Sequence, residues 1–262
     1  MSKELRQAVA LVTGAAGAIG KGIARDFCRL GAEVFVTDLE PGAVEATVRD
    51  LAGDGTCQGL AANVTDEAQV RRVVQAAADA FGGRVDVLVN VAGVVATGKV
   101  ETISEDEWDH VFAVNCKGSF FFIKHVVPLM KTAGEGGRII NFSSKSGKTG
   151  SALMTHYSGA KAAVIGMTQA LAYELAADGI TVNCLCPGIT EATGVWDRVS
   201  GGYVANMGLS RDEVVTKFTA KVPLGRLATV ADVVAVTRFL ASPGADYMTG
   251  QAINVTGGRE MH

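Results

Sequence analysis

Short apolar runs alternate with longer helical patterns along the whole chain, and few folds accommodate that rhythm. "AVALVTG" (8–14), "EVFVTD" (33–38), "TCQGLAAN" (56–63), "VDVLVNVAG" (85–93), "RIINFSS" (138–144), "ITVNCLCPG" (180–188) and "QAINVTGG" (251–258) read as strands. Between them, residues 18–31, 41–55, 66–83, about 104–132, 155–179 and 229–242 carry helical patterns. The strands are continuous apolar runs, the mark of strands buried on both faces. Strand–helix alternation repeated this often requires right-handed parallel crossovers. The expectation is an α/β chain: a single domain over residues 1–262, doubly wound on a parallel sheet of about seven strands, with helices on both faces.

The bulk numbers narrow the function classes. Of 262 residues, 48% are apolar and 19% charged, which suits a buried core and argues against disorder. A net charge of −3, without any run of five like charges, gives no support to a nucleic-acid or acidic-membrane partner. No stretch has the pattern of a signal peptide or the roughly 18 apolar residues of a membrane span. A soluble, cytoplasmic protein is expected. Five scattered cysteines do not make a disulfide framework. Cys184 and Cys186 share one strand face and read as buried free thiols.

"TGAAGAIG" (13–20) joins the first strand to the first helix. Gly14 permits a tight turn, Gly17 a close approach of ligand to backbone, and Gly20 close helix packing. The helix N-terminus behind them suits a pyrophosphate. Asp38 ends the second strand, where a carboxylate can accept hydrogen bonds from a ribose and repel a 2′-phosphate. No basic residue interrupts Ala15, Ala16 or Ala18, and Lys21 reads as a solvated helix position. NAD is therefore expected over NADP.

Tyr157 and Lys161, in "YSGAK", stand at i and i+4 and so share one helix face. A free phenol titrates near ~10, and a neighbouring ammonium favours its ionised form. Such a tyrosine can act as a general base in alcohol oxidation or a general acid in ketone reduction. Upstream, "RIINFSS" ends in Ser143 and Ser144, either of which could orient a substrate oxygen.

In combination these motifs resemble the short-chain dehydrogenase/reductase family over about residues 8–258. The resemblance implies a Rossmann-type fold and an oxidoreductase acting on CH–OH groups. It assigns Tyr157 as acid/base and Lys161 as the group that tunes it and holds the nicotinamide ribose. Ser144, not Ser143, would polarise the reacting oxygen. Asn115 would interrupt a helix and hold a relay water. For the cofactor it implies Gly14, Gly17, Ala18, Ile19 and Gly20 at the pyrophosphate, and Asp38 with Leu39 at the ribose. Asn63 and Val64 fall at the adenine, and Asn90, Ala92 and Gly93 follow the fourth strand. Pro187, Gly188, Ile189 and Thr190 would cover the nicotinamide. The sequence departs from the family pattern at Val91, where a second asparagine is usual, and at Asn63, where an aspartate is usual. Family resemblance also implies a homotetramer built partly on the long helices.

The segment from about 190 to 221 is the least regular and would form the substrate loop. Trp196 and Tyr203 either wall that pocket or pack the protein. Between Ser144 and Tyr157 the chain is polar, with Ser146, Lys148, Thr149, Ser151, Thr155 and His156. Ser146, Met154 and Trp196 are the candidate substrate contacts. Polarity there, and an ending similar to that of polyol dehydrogenases, point to a small polyol or sugar oxidised to a ketone. A 3-oxoacyl-thioester reductase shares the same motifs, and a non-catalytic NAD-binding sensor is a third reading.

Overall fold

The computed structural model describes residues 5–194, 196, 200, 201, 204 and 210–262. Its strands are β1 (Val9–Thr13), β2 (Glu33–Thr37), β3 (Cys57–Gly59), β4 (Val87–Asn90), β5 (Gly137–Phe142), β6 (Ile180–Pro187) and β7 (Ala252–Val255). They form one parallel sheet in the order β3-β2-β1-β4-β5-β6-β7. The order reverses between β1 and β4, the place where such sheets open a crevice for ligands.

Alternate residues of each strand feed two cores. Ala10, Val12, Val34, Val36, Val87, Val89 and Ile140 face α1 (Ala18–Arg29), α2 (Pro41–Leu51) and a late helix, Val230–Ala241. Val9, Leu11, Phe35, Leu88, Ile139 and Val182 face α3 (Glu67–Ala80) and two long helices on the other side. The doubly wound reading therefore holds, with the apolar runs buried on both faces.

Local differences have physical causes. The third strand is shorter than its apolar run, because Cys57–Gly59 lies at the sheet edge with one neighbour only. The helical stretch 104–132 is two helices, α4 (Glu105–Phe112) and α5 (Gly118–Ala133), joined by a π-turn over Ala113–Lys117. Asn115 causes the break by turning its amide back onto the backbone carbonyls of Val94 and Val111. Two short helices were not legible as such: α6 (Lys145–Thr149) and α8 (Arg211–Thr219). Helix α8 has a capping box between Ser210 and Glu213, and "SRDE" is its sequence signature. Helix α7 (Thr155–Leu175) and α9 (Val230–Ala241) fall where the periodicity puts them. Among the described residues, no helix is long and apolar enough to cross a membrane.

Candidate active site

The carboxyl edge of the sheet gathers the expected residues from six strands. At the end of β1, Gly14 adopts φ +64°, and a Cβ on it would lie 2.7 Å from the Ala92 amide nitrogen. A Cβ on Gly20 would lie 2.3 Å from the Gly14 carbonyl, so the turn folds onto the first coil of α1 only with glycine there. Gly17 is the N-cap of α1 and supplies no capping side chain; it and Ala18 are exposed, while Ile19 packs onto the core. The uncapped, exposed helix N-terminus fits a phosphate group.

Asp38 is held at this turn. One carboxylate oxygen accepts the Ala16 N–H at 2.9 Å and the other accepts the Leu39 N–H at 2.7 Å. Each oxygen keeps lone pairs for further donors such as ribose hydroxyls. The cations of α1 are tied elsewhere: Lys21 to Asp50 at 2.8 Å, and Arg25 and Arg29 to Asp54. Lys21 is therefore a surface helix position that is also ion-paired.

Two of the expected cofactor residues are also engaged within the fold. Asn63 Oδ1 accepts from both the N–H and the hydroxyl of Thr65, at 3.0 and 2.8 Å. Only its Nδ2 remains to meet a base, so the residue offers a donor there. Asn90 donates to Asn141 Oδ1 at 2.9 Å, and Asn141 donates to Thr168 at 3.0 Å. It is a buried tie across β4, β5 and α7 as well as a neighbour of the crevice. At the Val91 departure the turn persists, because Thr13 Oγ1 accepts from both the Val91 and Ala92 amides at 3.1 Å. That role of Thr13 was not apparent from sequence.

Tyr157 and Lys161 lie on the buried face of α7. Lys161 Nζ donates to the Phe142 carbonyl at 2.8 Å and sits 5.8 Å from the Tyr157 ring centroid. Burial pushes its pKa from 10.5 down to about 8. Burial also pushes the Tyr157 phenol above its ordinary value, opposed by a hydrogen bond to Ser144. Burial is the larger influence on the phenol in the protein alone, and a positive nicotinamide ring beside it would favour the ionised form. Ser144 Oγ accepts the Ser146 N–H at 3.1 Å and caps α6, while its hydroxyl meets the Tyr157 phenol. Ser143 instead donates to the Lys161 carbonyl at 2.7 Å and is structural.

Asn115 Nδ2 donates to the carbonyls of Val94 (2.8 Å) and Val111 (2.9 Å), which opens the π-turn. Its Oδ1 is buried without a partner among the described residues. A Cβ on Gly93 would lie 2.7 Å from that oxygen and 3.4 Å from Lys161 Nζ, so the two polar groups face each other across the glycine. An orphaned acceptor beside an ammonium suits a bridging water.

The roof is built from the end of β6. Pro187 pairs with Val255, Gly188 N–H donates to the Val255 carbonyl, and Ile189 and Thr190 bridge to Ala228. Met154, Tyr157, Trp196 and Phe218 share one apolar cluster, and the Trp196 and Phe218 rings meet edge to face at 6.3 Å. Val64 is buried against Gly118. Tyr203 lies outside the described residues. Much of the polar run before Tyr157 is engaged within the fold. Ser146 pairs with Ser151, Lys148 donates to the Ala252 carbonyl, and His156 is fully buried against Glu107 at 3.1 Å. Cys184 and Cys186 are buried free thiols, as read from the strand.

A doubly wound sheet carrying this constellation at its switch point defines a nicotinamide-dependent oxidoreductase. The comparisons place it further. A family model described as enoyl-(acyl carrier protein) reductase matches residues 14–260. The chain is 38% identical to galactitol 2-dehydrogenase of Agrobacterium fabrum, covering 98% of this chain and 99% of that one. It is 43% identical to the monensin polyketide synthase putative ketoacyl reductase of Streptomyces virginiae, covering 95% and 96%. Sorbitol dehydrogenase of Cereibacter sphaeroides is 36% identical, covering 96% and 97%. A crystal structure of a variant actinorhodin polyketide ketoreductase with NADPH superposes with TM-score 0.94 at 35% identity over all of both chains. The chain belongs to the short-chain dehydrogenase/reductase family, whose members are oxidoreductases acting on CH–OH groups.

Proposed function

We propose that this protein oxidises a secondary alcohol of a small polyol, sugar or sugar alcohol to a ketone, with NAD as oxidant. The observation that carries the cofactor choice is Asp38, fixed at the ribose position by the Ala16 amide while the nearby cations are ion-paired. A carboxylate there repels a 2′-phosphate. The polyol class is supported by the likeness to galactitol 2-dehydrogenase and sorbitol dehydrogenase over nearly the whole chain.

NAD supplies the hydride acceptor. Ser144, paired with Tyr157 in the protein alone, turns its hydroxyl proton to the substrate oxygen and fixes its place. Tyr157 takes the hydroxyl proton as the carbonyl forms, and Lys161 with Asn115 passes it toward solvent through a bridging water. The uncapped amides at Ala18–Gly20 would hold the pyrophosphate, Asn63 Nδ2 would meet the adenine, and Ala92, Gly93 and the 187–190 roof would enclose the nicotinamide.

The second reading is reduction of a 3-oxoacyl thioester. It is favoured by 43% identity to the monensin putative ketoacyl reductase and by the close superposition on the actinorhodin ketoreductase with NADPH. A screen of the purified protein with NAD and NADP against hexitols, pentitols, sugars and an acetoacyl thioester separates the two. Polyol oxidation with NAD is expected, and activity confined to the thioester overturns the proposal. Tyr157→Phe should lower kcat at least about 1000-fold, within the range of acid–base contributions, while NAD binding persists. Unchanged function after that substitution would mean a sensor and not an enzyme.

We further propose a cytoplasmic homotetramer. The five cysteines are free thiols, as a reducing compartment maintains them. From Ala162 to Tyr173, α7 carries no charged residue, yet Ala162, Gly166, Ala170 and Tyr173 are exposed on one protomer. A helix face without charge is normally covered by a partner surface.

A further inference from the structure

The C-terminal segment brings a buried carboxylate up to the residue next to Ser144, and the fold leaves it half used. Glu260 has a side chain only 7% exposed, with Oε1 at 3.3 Å from Arg259 Nε and 4.0 Å from Lys145 Nζ. Its Oε2 is buried without a partner among the described residues. A second orphan accompanies it: Asn254 donates its Nδ2 to the Glu260 carbonyl at 3.0 Å, which leaves Asn254 Oδ1 buried with no partner among the described residues.

Lys145, itself 13% exposed, faces this carboxylate from the start of α6. Of its three N–H donors, one goes to Ser151 Oγ at 2.8 Å and one weakly to the Gly150 carbonyl at 3.5 Å. The third is available. Four ångströms is too long for a hydrogen bond, but an oxygen atom about 2.8 Å from each group spans it. The group that fits must accept from an ammonium and donate to a carboxylate. A hydroxyl does both; a carboxylate or phosphate cannot donate when ionised, and a thioester cannot donate at all.

The position belongs to the substrate side of the molecule. Lys145 directly follows Ser144, and Ser151 links it to Ser146, whose amide holds Ser144 Oγ. From the other direction, the Arg259 guanidinium lies 5.3 Å over the Phe218 ring, and Phe218 packs in the cluster that contains Tyr157 and Trp196. We propose that Lys145 and Glu260 form a hydroxyl-binding subsite that takes a second hydroxyl of the substrate, remote from the one oxidised, and so selects polyols over monohydroxy alcohols. This rests on the polyol reading above and adds the residues that enforce it.

Lys145→Met and Glu260→Gln test it in the full-length protein with NAD. Glu260→Gln is isosteric, and a fluorescence titration with NAD together with a thermal melt verifies the fold of both variants. Steady-state kinetics are then compared for a hexitol and for 2-butanol. The ratio of kcat/KM for the hexitol to that for 2-butanol should fall at least about tenfold in each variant, chiefly through KM for the hexitol. A bound water filling the gap predicts an unchanged ratio, and an unchanged ratio overturns the inference alone. A merely structural role would lower both substrates together, which also overturns it. Failure of the wild-type protein to oxidise any polyol overturns the underlying reading and the subsite with it.

Discussion

Lys161 shows most clearly that function and stability pull against each other at one residue. Displacement of a lysine from 10.5 to about 8 by burial corresponds to roughly 3 kcal/mol of unfavourable charge burial. The sign follows from proton binding. The unfolded chain holds this proton up to about pH 10.5, and the folded one releases it near 8. The penalty is therefore complete below about 8 and fades as pH rises toward 10.5. Lys161→Met should abolish turnover yet raise stability at pH 7 by about 1–2 kcal/mol, after the lost hydrogen bond to Phe142 is discounted. Urea unfolding at pH 7 and pH 10 checks it, with the gap between variant and wild type narrowing at the higher pH. The raised phenol of Tyr157 sets the direction of catalysis with pH in the same way. Oxidation needs the ionised form and should gain as pH rises, whereas reduction uses the protonated phenol and should persist until the pH passes its raised value. At Asp38, replacement by alanine together with Leu39→Arg should shift kcat/KM toward NADP by at least about tenfold, since a repulsive contact is exchanged for an attractive one. Unchanged NAD/NADP selectivity would remove Asp38 from the ribose site.

Elements determine how these side chains meet. Asn115 breaks α4 from α5 by bonding back to Val94 and Val111, and the π-turn aims its free oxygen at Lys161 past Gly93. Gly93 is thus the spacer of the relay. Gly93→Ala would place a methyl 2.7 Å from Asn115 Oδ1, and the amide must give way because the other neighbours are backbone and the lysine. A shift of that size should lower kcat about 10- to 100-fold; normal kcat would show that Asn115 does not act through this oxygen. His156 makes a second link between the same elements, tying the first turn of α7 to Glu107 of α4. Much of this was readable residue by residue. The i, i+4 pair placed Tyr157 and Lys161 on one face, and the glycine spacing placed the turn. Element boundaries were less readable. A π-turn keeps helical periodicity nearly intact, so 104–132 reads as one helix. The partners of the polar residues before Tyr157 were not readable either, since Ser146, Lys148 and His156 are largely engaged inside the fold.

The whole molecule adds a surface that one protomer does not explain. The uncharged outward face of α7 is the proposed tetramer contact. Gly166 lies on it, and a Cβ at that position would meet no atom within 4 Å. Gly166→Arg should therefore leave the protomer folded while light scattering after size exclusion shows loss of the tetramer; a wild-type monomer would dismiss the contact. The sequence by itself determined the sheet, its parallel winding and the motif residues, because periodicity and short-range spacing are local properties of the chain. It also placed Asp38 at a strand end and Ser144 beside Ser143. Only the tertiary structure decided which polar groups are already engaged. Asn63 turned out to offer only a donor, Ser143 to bind a backbone carbonyl, and Tyr157 to be raised by burial. The Glu260–Lys145 gap depends on residues 115 positions apart in the chain meeting at the substrate side. Desolvation and hydrogen-bond partnership are set by neighbours distant in sequence, and those neighbours exist only once the chain has folded.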